Sequence, residues 1–285
     1  MAIGKKFLLK WQNDDRGTRR FLRKLSYYVL LTAAAFLMVL LISFGCDWRK
    51  KTTGITRNVH FVDSVGPNLL FRGALPQAGK PAVFDYKGLK KAITKAGEAA
   101  GITVPASFYL IDLNLLNVEN PKDADLIYNE YKFFKKTPRL GRIQVWGITG
   151  TKLSPKDPAL IGCRDYLARN LDNWLADRLA TRVTALRRWL ENPESFLGKN
   201  PKMPVVVYVH CVAGCDRTGE VIGAYYLRYK NKTWEEMNIL NRSMCRNNRP
   251  FGCRNYRADQ WYSLWLNLTQ GYSLNWQTEF PCSGN

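Results

Sequence analysis

Acidic residues are scarce in this sequence, and no tract of repeats or low complexity follows residue 60. The 285 residues include 23 aspartates and glutamates against 43 lysines and arginines, a formal net charge of +20. Without repeats to divide the chain, a single domain over residues 61–285 is the simplest organisation. The excess positive charge favours anionic partners such as phosphorylated molecules or anionic lipid head groups. No nucleic-acid-binding motif accompanies it, so no nucleic acid partner is expected.

Charged side chains are also missing from residues 27 to 45, YYVLLTAAAFLMVLLISFG. That length is about what an α-helix needs to cross a hydrocarbon layer of roughly 30 Å. We therefore predict a single transmembrane helix over residues 27–46, after a basic segment over 1–26 and before a linker over 47–60. The alternative is a cleaved signal peptide, whose apolar core and basic leader would normally be shorter.

The basic residues around this apolar stretch predict an orientation. Eight of them precede it and four follow it closely, so the positive-inside rule places the N-terminus in the cytosol. The domain after it would then be lumenal, periplasmic or extracellular. Sequons at Asn231, Asn241 and Asn267 fit that side of a membrane, and cysteines clustered in the tail could supply a disulfide there, namely Cys245, Cys253 and Cys282.

The most informative residues run from His210 to Glu220, HCVAGCDRTGE. They follow the β-branched run PVVVYV (204–209), which predicts a buried strand. The stretch TGEVIGAYYLRYK after them has apolar residues at helical spacing and predicts a helix. A strand, a tight loop and a helix in this order aim backbone N–H groups and the positive end of the helix dipole at one point. The pattern therefore predicts a phosphate-binding loop.

The side chains of this loop suit attack on phosphorus. Such a nest favours thiolate over thiol at Cys211, and a thiolate is a nucleophile. The planar fork of Arg217 can hold two phosphoryl oxygens. The Thr218 hydroxyl is placed to donate to the sulfur, and His210 to orient the loop through hydrogen bonds. The predicted phosphate-binding positions are Val212, Ala213, Gly214, Cys215, Asp216 and Arg217, with Gly214 allowing the backbone to turn.

The order His-Cys, five residues, Arg and then Thr resembles the signature of the protein tyrosine phosphatase superfamily. The segment NLLFRGALPQ (68–77) is similar to the first strand motif of its dual-specificity members, and KGLKKAITKAG and ASFYLIDLNLL then repeat the expected helix and strand. Together the similar segments cover roughly residues 60 to 270. The resemblance implies an α/β fold with a central, mostly parallel sheet flanked by helices. It also implies a hydrolase that forms a phosphocysteine and requires neither a metal nor another cofactor.

Family members protonate the leaving group with an aspartate on a loop before the signature. Here the predicted strand RIQVWGI (142–148) leads into the loop TGTKLSPKDPAL, and Asp157 is the first candidate. A turn or helix cap is its alternative role. Asp216 is the second candidate, because it lies in a DRT sequence like that of myotubularin-like and Sac-like lipid phosphatases. Its alternative role is to brace the loop.

The longest helical pattern covers residues 163–192, with leucines recurring near one face. This pattern places Asp165 and Asp172 on a solvated face. Further on, TWEE predicts a capping box between Thr233 and Glu236 that opens a helix through about residue 245.

The substrate class stays open. We take phosphotyrosine or phosphoserine/threonine proteins as the first prediction and phosphoinositides or inositol phosphates as the alternative, which the basic charge, the predicted anchor and Asp216 favour. Lipid-directed members often carry lysines where Val212, Ala213 and Cys215 stand. A third possibility is an inactive phosphate-binding module, which would not need to retain Cys211 with its arginine. Cys215 is interpreted as a small packed residue, with a reversible disulfide to Cys211 as the alternative.

Overall fold

The computed structural model describes residues 59–79, 82–198 and 202–283. The predicted basic segment (1–26), the predicted transmembrane helix (27–46) and most of the predicted linker (47–60) lie outside these residues. Over the part of the chain that is described, no helix combines the length and apolar character needed to span a membrane.

The strands and helices alternate through most of the described chain. The strands are β1 (His60–Val65), β2 (Asn68–Ala74), β3 (Gln77–Ala78), β4 (Val83–Phe84), β5 (Tyr109–Asn114), β6 (Gly141–Val145) and β7 (Val205–Cys211). The helices are α1 (Tyr86–Ala99), α2 (Pro121–Lys136), α3 (Arg164–Arg169), α4 (Leu171–Trp174), α5 (Leu179–Glu191), α6 (Glu194–Leu197), α7 (Asp216–Tyr229), α8 (Trp234–Met244) and α9 (Cys253–Gln270). Two 3₁₀ turns, Pro158–Leu160 and Arg246–Asn248, complete the secondary structure of the described residues.

Five strands form one sheet in the order β1-β2-β7-β5-β6. The pairs β2–β7, β7–β5 and β5–β6 are parallel, and only the edge pair β1–β2 in this sheet is antiparallel. A separate antiparallel pair joins β3 and β4. The predicted α/β class with a mostly parallel central sheet is therefore confirmed for the described residues.

The central strand β7, VVVYVHC, is buried along its whole length. Because side chains alternate between the faces of a sheet, Val207 and Val209 join one hydrophobic cluster with residues of α5, α7 and α9. Val206 and Tyr208 join a second cluster with residues of α1 and α2. Burial of one such valine contributes about 1.5 kcal/mol. Apolar residues on both faces explain why the strand reads as a continuous β-branched run.

The continuous helical pattern predicted over residues 163–192 was wrong, because the structure does not form one unbroken helix there. The segment divides into α3, α4 and α5, and Arg178 before α5 has a left-handed backbone with φ 46°. Asp172 is not on a solvated face, because its carboxylate accepts the N–H groups of Ala180 (3.1 Å) and Thr181 (2.7 Å). Asp172 therefore caps the first turn of α5 from outside it and fixes the break.

The predicted capping box at the start of α8 is confirmed. The Thr233 hydroxyl accepts the N–H of Glu236 at 3.1 Å, and the Glu236 carboxylate accepts the N–H of Thr233 at 2.9 Å. The helix ends at Met244. The local signal was sufficient here because both partners lie within one helical turn.

Candidate active site

The predicted phosphate loop lies at the carboxyl end of β7, the middle strand of the sheet, and leads directly into α7. Crevices at the carboxyl ends of parallel strands are the usual ligand sites of open α/β sheets. Gly214 has φ +69°, and a Cβ atom there would lie 2.5 Å from the backbone of Gly73 at the end of β2. Only glycine fits this close approach, so the loop is held against the neighbouring strand.

Cys211 is the last residue of β7 and is only 2% exposed. The next two residues, Val212 and Ala213, are exposed, so the thiol lies at the floor of the loop and these residues at its mouth. The Thr218 hydroxyl is fully buried and has no hydrogen-bond partner among the described residues. A bond from the Thr218 hydroxyl to the Cys211 sulfur stays a prediction.

Arg217 is held at the loop by a residue that the sequence did not reveal. Its Nη1 donates to Asp123 Oδ2 at 2.6 Å, and Asp123 in the first turn of α2 is itself buried. Asp123 Oδ2 also accepts the N–H of Asn117 at 3.1 Å. A guanidinium has five N–H donors, so this contact orients Arg217 and leaves other donors for phosphoryl oxygens.

A second arginine lies beneath the loop. Arg72 in β2 is fully buried, and it donates to Asn241 Oδ1 at 2.7 Å and to the carbonyl oxygen of Gly214 at 3.3 Å. Burial lowers the pKa of Arg72, and its contact with Tyr226 opposes that shift. A guanidinium remains charged after such a shift, so the loop rests on a buried positive charge. Because Asn241 is fully buried, its predicted sequon is not accessible for modification in this fold.

His210 contacts two buried carboxyl groups. Its Nε2 lies 3.1 Å from Asp112 Oδ1 and 3.6 Å from Glu130 Oε2, and all three side chains are fully buried. Burial lowers the pKa of His210 and raises the pKa of Asp112 and of Glu130 to about 8. Their donor atoms lie within 4.8 Å of one another, so these side chains could also hold a metal ion. A charged residue inside the apolar strand ASFYLIDLNLL was the one available signal for Asp112.

The Asp216 carboxylate pairs with residues after the loop rather than with the loop backbone or Arg217, and its role as the proton donor stays a prediction. Its two carboxylate oxygens accept from Nη1 and Nη2 of Arg249 at 2.9 and 2.7 Å. One of them also accepts the N–H of Gly252 at 2.7 Å. Asp216 therefore ties the start of α7 to the segment before α9.

Asp157 caps a 3₁₀ turn, because its Oδ1 accepts the N–H of Ala159 at 3.0 Å. Its role as the proton donor stays a prediction. The beginning of the same loop is fixed from below by the buried Asp177, which accepts the N–H groups of Thr149 at 2.9 Å and Gly150 at 2.6 Å.

Two disulfides connect cysteines near the loop. Cys215 pairs with Cys245, at the end of α8, and Cys253 pairs with Cys282. The interpretation of Cys215 as an unbonded packed residue was therefore wrong, and its disulfide partner is not Cys211, which is free. The two paired positions are 30 residues apart in the chain, so no local pattern indicated the bond.

Exposed basic side chains lie on the segments that contact the loop, and we name Lys152, Arg246 and Arg254 the basic rim. Arg246 follows Cys245, the disulfide partner of the loop. Arg254 lies two residues after Gly252, and its carbonyl oxygen accepts the N–H of Thr151, the residue before Lys152, at 3.1 Å. The rim adds exposed positive charge to segments that these bonds join to the loop and to the start of α7.

Comparison with known proteins gives distant structural similarity. No family model matches the chain, and no curated protein matches it. It is similar to PTPMT1 in complex with PI(5)P, at 16% identity and a TM-score of 0.38, over 75% of this chain and 98% of that one. It is also similar to the core catalytic domain of the PP-IP phosphatase SIW14 from S. cerevisiae, at 15% identity and a TM-score of 0.32, over 70% and 83% of the chains. A mutant form of Tk-PTP gives 13% identity and 0.32 over 75% and 95%. Because these TM-scores lie below 0.5, we take from them neither a substrate nor a mechanism for this chain.

Proposed function

We propose that this chain is a cysteine-dependent phosphoric monoester hydrolase of the protein tyrosine phosphatase superfamily. The observation that carries the proposal is the placement of the buried Cys211 at the end of the central strand, before a loop whose arginine is already oriented. Arg217 is held there by the 2.6 Å contact with Asp123. Buried Arg72 supports the loop backbone from below through Gly214.

The proposed reaction has two steps. In the first, the Cys211 thiolate attacks phosphorus, the bond to the leaving oxygen breaks, and that oxygen takes a proton from Asp157. In the second, Asp157 accepts a proton from water, whose oxygen attacks the phosphocysteine, and inorganic phosphate and the thiolate are released. Arg217 and the loop N–H groups stabilise the charge on the phosphoryl oxygens in both steps, and Thr218 donates to the departing sulfur.

Phosphoproteins are the first proposed substrates. Val212 is 47% exposed and Ala213 beside it is also exposed, so the mouth of the loop has an apolar edge. An aromatic ring or the stem of a phosphorylated side chain can pack on such an edge, whereas a polyphosphorylated ring would gain no charge pairing there.

A second candidate substrate class is the phosphoinositides or inositol phosphates, and the basic rim favours it. Lys152, Arg246 and Arg254 are exposed on segments joined to the loop region, and we propose that they pair with phosphate groups other than the one that reacts. Removing charge from the basic rim therefore distinguishes phosphoprotein substrates from phosphoinositides or inositol phosphates.

We also propose that residues 27–46 anchor this enzyme to a membrane, with its N-terminus in the cytosol and the folded domain on the opposite side. Two disulfides within the described residues support an oxidising compartment for that domain. Protease protection of the full-length chain in sealed membranes would test the orientation, since a cytosolic domain would be digested.

The test of the function is phosphate release by the full-length chain from a phosphotyrosine peptide, a phosphoserine peptide and a phosphoinositide panel. Cys211→Ser should abolish release while retaining substrate binding, because the serine hydroxyl is a far weaker nucleophile. In a second arm, Arg246→Gln with Arg254→Gln should lower kcat/KM only for the polyanionic class if that class is the substrate. An exposed pair remote from the loop, Lys91→Gln with Lys95→Gln on α1, is the matched charge control.

The parent protein should be folded, with the Cys211 thiol reduced. If it then releases no phosphate from any substrate but still binds the phosphopeptide, the hydrolase proposal is rejected in favour of an inactive binding module. Equal turnover by the parent and by Cys211→Ser would reject the phosphocysteine mechanism.

A further inference from the structure

Three side chains with metal-ligating atoms meet between the central sheet and α2. Asp112, Glu130 and His210 come from β5, α2 and β7, and each is fully buried. Asp112 is paired with Tyr208 in the parallel ladder between β5 and β7. His210 lies two residues after Tyr208 and projects from the same face of the sheet, where Tyr208 packs with residues of α1 and α2. The cluster therefore joins two central strands to one helix.

The distances within the cluster suit the ligands of one metal ion. His210 Nε2 lies 3.1 Å from Asp112 Oδ1 and 3.6 Å from Glu130 Oε2. One donor atom from each residue lies within 4.8 Å of the other two. Ligand atoms bonded to zinc at about 2.0–2.1 Å in a tetrahedron are about 3.3–3.4 Å apart. The two distances from the imidazole lie on either side of that value.

Hydrogen bonds among the described residues do not account for this arrangement. Neither oxygen of Asp112 and neither ring nitrogen of His210 has a directed hydrogen-bond partner there, although Nε2 and Oδ1 are in contact. Buried polar atoms are ordinarily satisfied. Ligand atoms that direct their lone pairs at a common ion approach one another without a donor between them.

Charge balance also favours a divalent cation. Within the described residues, no lysine or arginine contacts either carboxyl group, and the nearby Arg217 is paired with Asp123. A divalent ion would neutralise two carboxylates, with a neutral imidazole as the third ligand. Without a cation, burial keeps the pKa of Asp112 and of Glu130 raised, and a bound ion would favour the ionised forms that act as ligands.

Amide groups orient Glu130 for this role. Its Oε2 accepts from Asn114 Nδ2 at 2.5 Å, and its Oε1 accepts from Gln77 Nε2 at 3.1 Å. The orientation of Asn114 is fixed, because its Oδ1 accepts the N–H of Leu116 at 2.8 Å. A carboxylate oxygen has two lone-pair sites, so Oε2 can accept from Asn114 and bind a metal ion together. Ligating carboxylates in proteins are commonly hydrogen-bonded in this way.

We propose that Asp112, Glu130 and His210 bind a structural divalent transition-metal ion, for which zinc is the probe. The second oxygen of Asp112, which has no directed hydrogen-bond partner among the described residues, supplies a fourth ligand atom. Zinc accepts this mixture of carboxylate oxygen and imidazole nitrogen. The ion holds α2 against β5 and β7. The inference concerns the fold, and it stands or falls independently of the proposed phosphatase activity.

The first experiment measures the metal content of the full-length protein in detergent by elemental mass spectrometry. After incubation with zinc and gel filtration in metal-free buffer, the parent should retain about one equivalent per chain. Asp112→Asn and Glu130→Gln should each lose most of it, because an amide is a weaker ligand than a carboxylate. Asp125→Asn removes a carboxylate from an exposed position of α2, and this control should bind as much zinc as the parent.

A second experiment separates this cluster from the cysteines. Zinc X-ray absorption of the parent should show only nitrogen and oxygen neighbours, at about 2.0–2.1 Å. Zinc bound by a thiolate would show a sulfur neighbour at about 2.3 Å instead. Cys211→Ser should keep the full equivalent of zinc, since Cys211 is not among the ligands.

A third readout is stability, and it decides the proposal even if the amide variants fold poorly. A chelator should lower the unfolding temperature of the parent, and added zinc should restore it. At about 100 times its dissociation constant, free zinc should raise the midpoint by about 5 °C or more. The midpoint of the folded Asp112→Asn and Glu130→Gln variants should not respond to zinc.

The proposal is overturned if the folded parent retains no divalent metal and its unfolding midpoint does not respond to zinc, manganese or iron(II). It is also overturned if the folded amide variants keep the metal of the parent, or if the absorption spectrum shows a sulfur neighbour. Phosphatase assays do not enter these measurements, so failure of the proposed function would leave their outcome unchanged.

Discussion

Asp123 shows how one contact can orient the arginine of the proposed active site before a substrate arrives. Its carboxylate holds Nη1 of Arg217 at 2.6 Å, and the Asp123 side chain is 8% exposed while that of Arg217 is 23% exposed. A partly buried charge-assisted hydrogen bond of this kind reduces the freedom that the guanidinium would otherwise lose on binding phosphate.

We expect Asp123→Asn to weaken the binding of phosphate esters. A hydrogen bond to a charged group contributes about 1.5–3 kcal/mol, so kcat/KM should fall by about tenfold or more. The affinity for vanadate or inorganic phosphate, measured by inhibition, should fall in parallel. Tighter vanadate binding by the variant would show instead that Asp123 competes with phosphate for Arg217. Asp125→Asn on the same helix is again the control.

At the scale of the elements, Asp172 connects two short helices. It lies in α4, and its carboxylate accepts two N–H groups at the beginning of α5, across a backbone turn at Arg178. The leucine spacing continues through this turn without interruption, which is why the sequence indicated one helix.

We expect Asp172→Ala to lower the free energy of unfolding by about 1 kcal/mol, the usual value of a lost helix cap. Asp165→Ala is the matched control, because Asp165 is exposed and its ion pair is with the adjacent Arg164. Chemical denaturation of both variants measures the difference. An equal change in the free energy of unfolding of the two variants would mean that the Asp172 cap does not stabilise the fold.

The two disulfides offer a second comparison between elements. Their cysteines are 30 and 29 residues apart, so each bond should restrict the unfolded chain to nearly the same extent, which corresponds to about 3.6 kcal/mol. Only the bond of Cys215 lies in the phosphate loop.

Two double variants each remove one disulfide: Cys215→Ser with Cys245→Ser, and Cys253→Ser with Cys282→Ser. They should therefore destabilise the protein by similar amounts but differ in activity. We expect kcat/KM to fall substantially when Cys215–Cys245 is removed and to stay near the parent value when Cys253–Cys282 is removed. Activity measured well below each variant's unfolding midpoint makes the comparison. Equal activity losses would indicate that the first bond has no special role in shaping the loop.

At the scale of the whole molecule, several carboxyl groups are buried with raised pKa values. Glu220 in α7 is one of them: burial raises its pKa well above the usual value, and Asp177 raises it further. Its Oε2 accepts from Asn255 Nδ2 at 2.7 Å. A protonated Glu220 can donate to Asp177, which in turn holds the loop that begins at Thr149.

This protonation gives stability a defined dependence on pH. Because burial raises the pKa of Glu220 in the folded state, that state keeps this proton above about pH 4.5, where the unfolded chain begins to lose it, and so binds more protons. Its contribution to stability is complete below that pH and is lost as pH rises, by up to about 1.4 kcal/mol per unit. Glu220→Gln should keep its contacts and reduce this slope between pH 5 and pH 8.

Urea denaturation across that range, with exposed Glu235→Gln as the control, measures the effect. A slope in Glu220→Gln equal to that of the parent would contradict a protonated Glu220 in the folded state.

Local patterns predicted those parts of the molecule whose interactions are local. The loop from Cys211 to Arg217 and the box at Thr233 each depend on residues within about two helical turns, and both were found from the sequence. The cluster at His210 unites residues from three elements, with Asp112 and Glu130 far upstream in the chain. Only the parallel pairing of β5 with β7 and the packing of α2 bring them together, so no spacing rule could indicate them.

The disulfide between Cys215 and Cys245 creates opposite chemical demands within one loop. The proposed mechanism requires the sulfur of Cys211 to remain reduced, while a sulfur four residues away is already oxidised. Strong reductants that protect the nucleophile during purification would also attack the bond that secures it, and strong oxidants would do the reverse. A preparation of this protein therefore has to be characterised by the state of each sulfur separately, because a total thiol count cannot distinguish the intact loop from one in which Cys211 has exchanged into the Cys215–Cys245 bond.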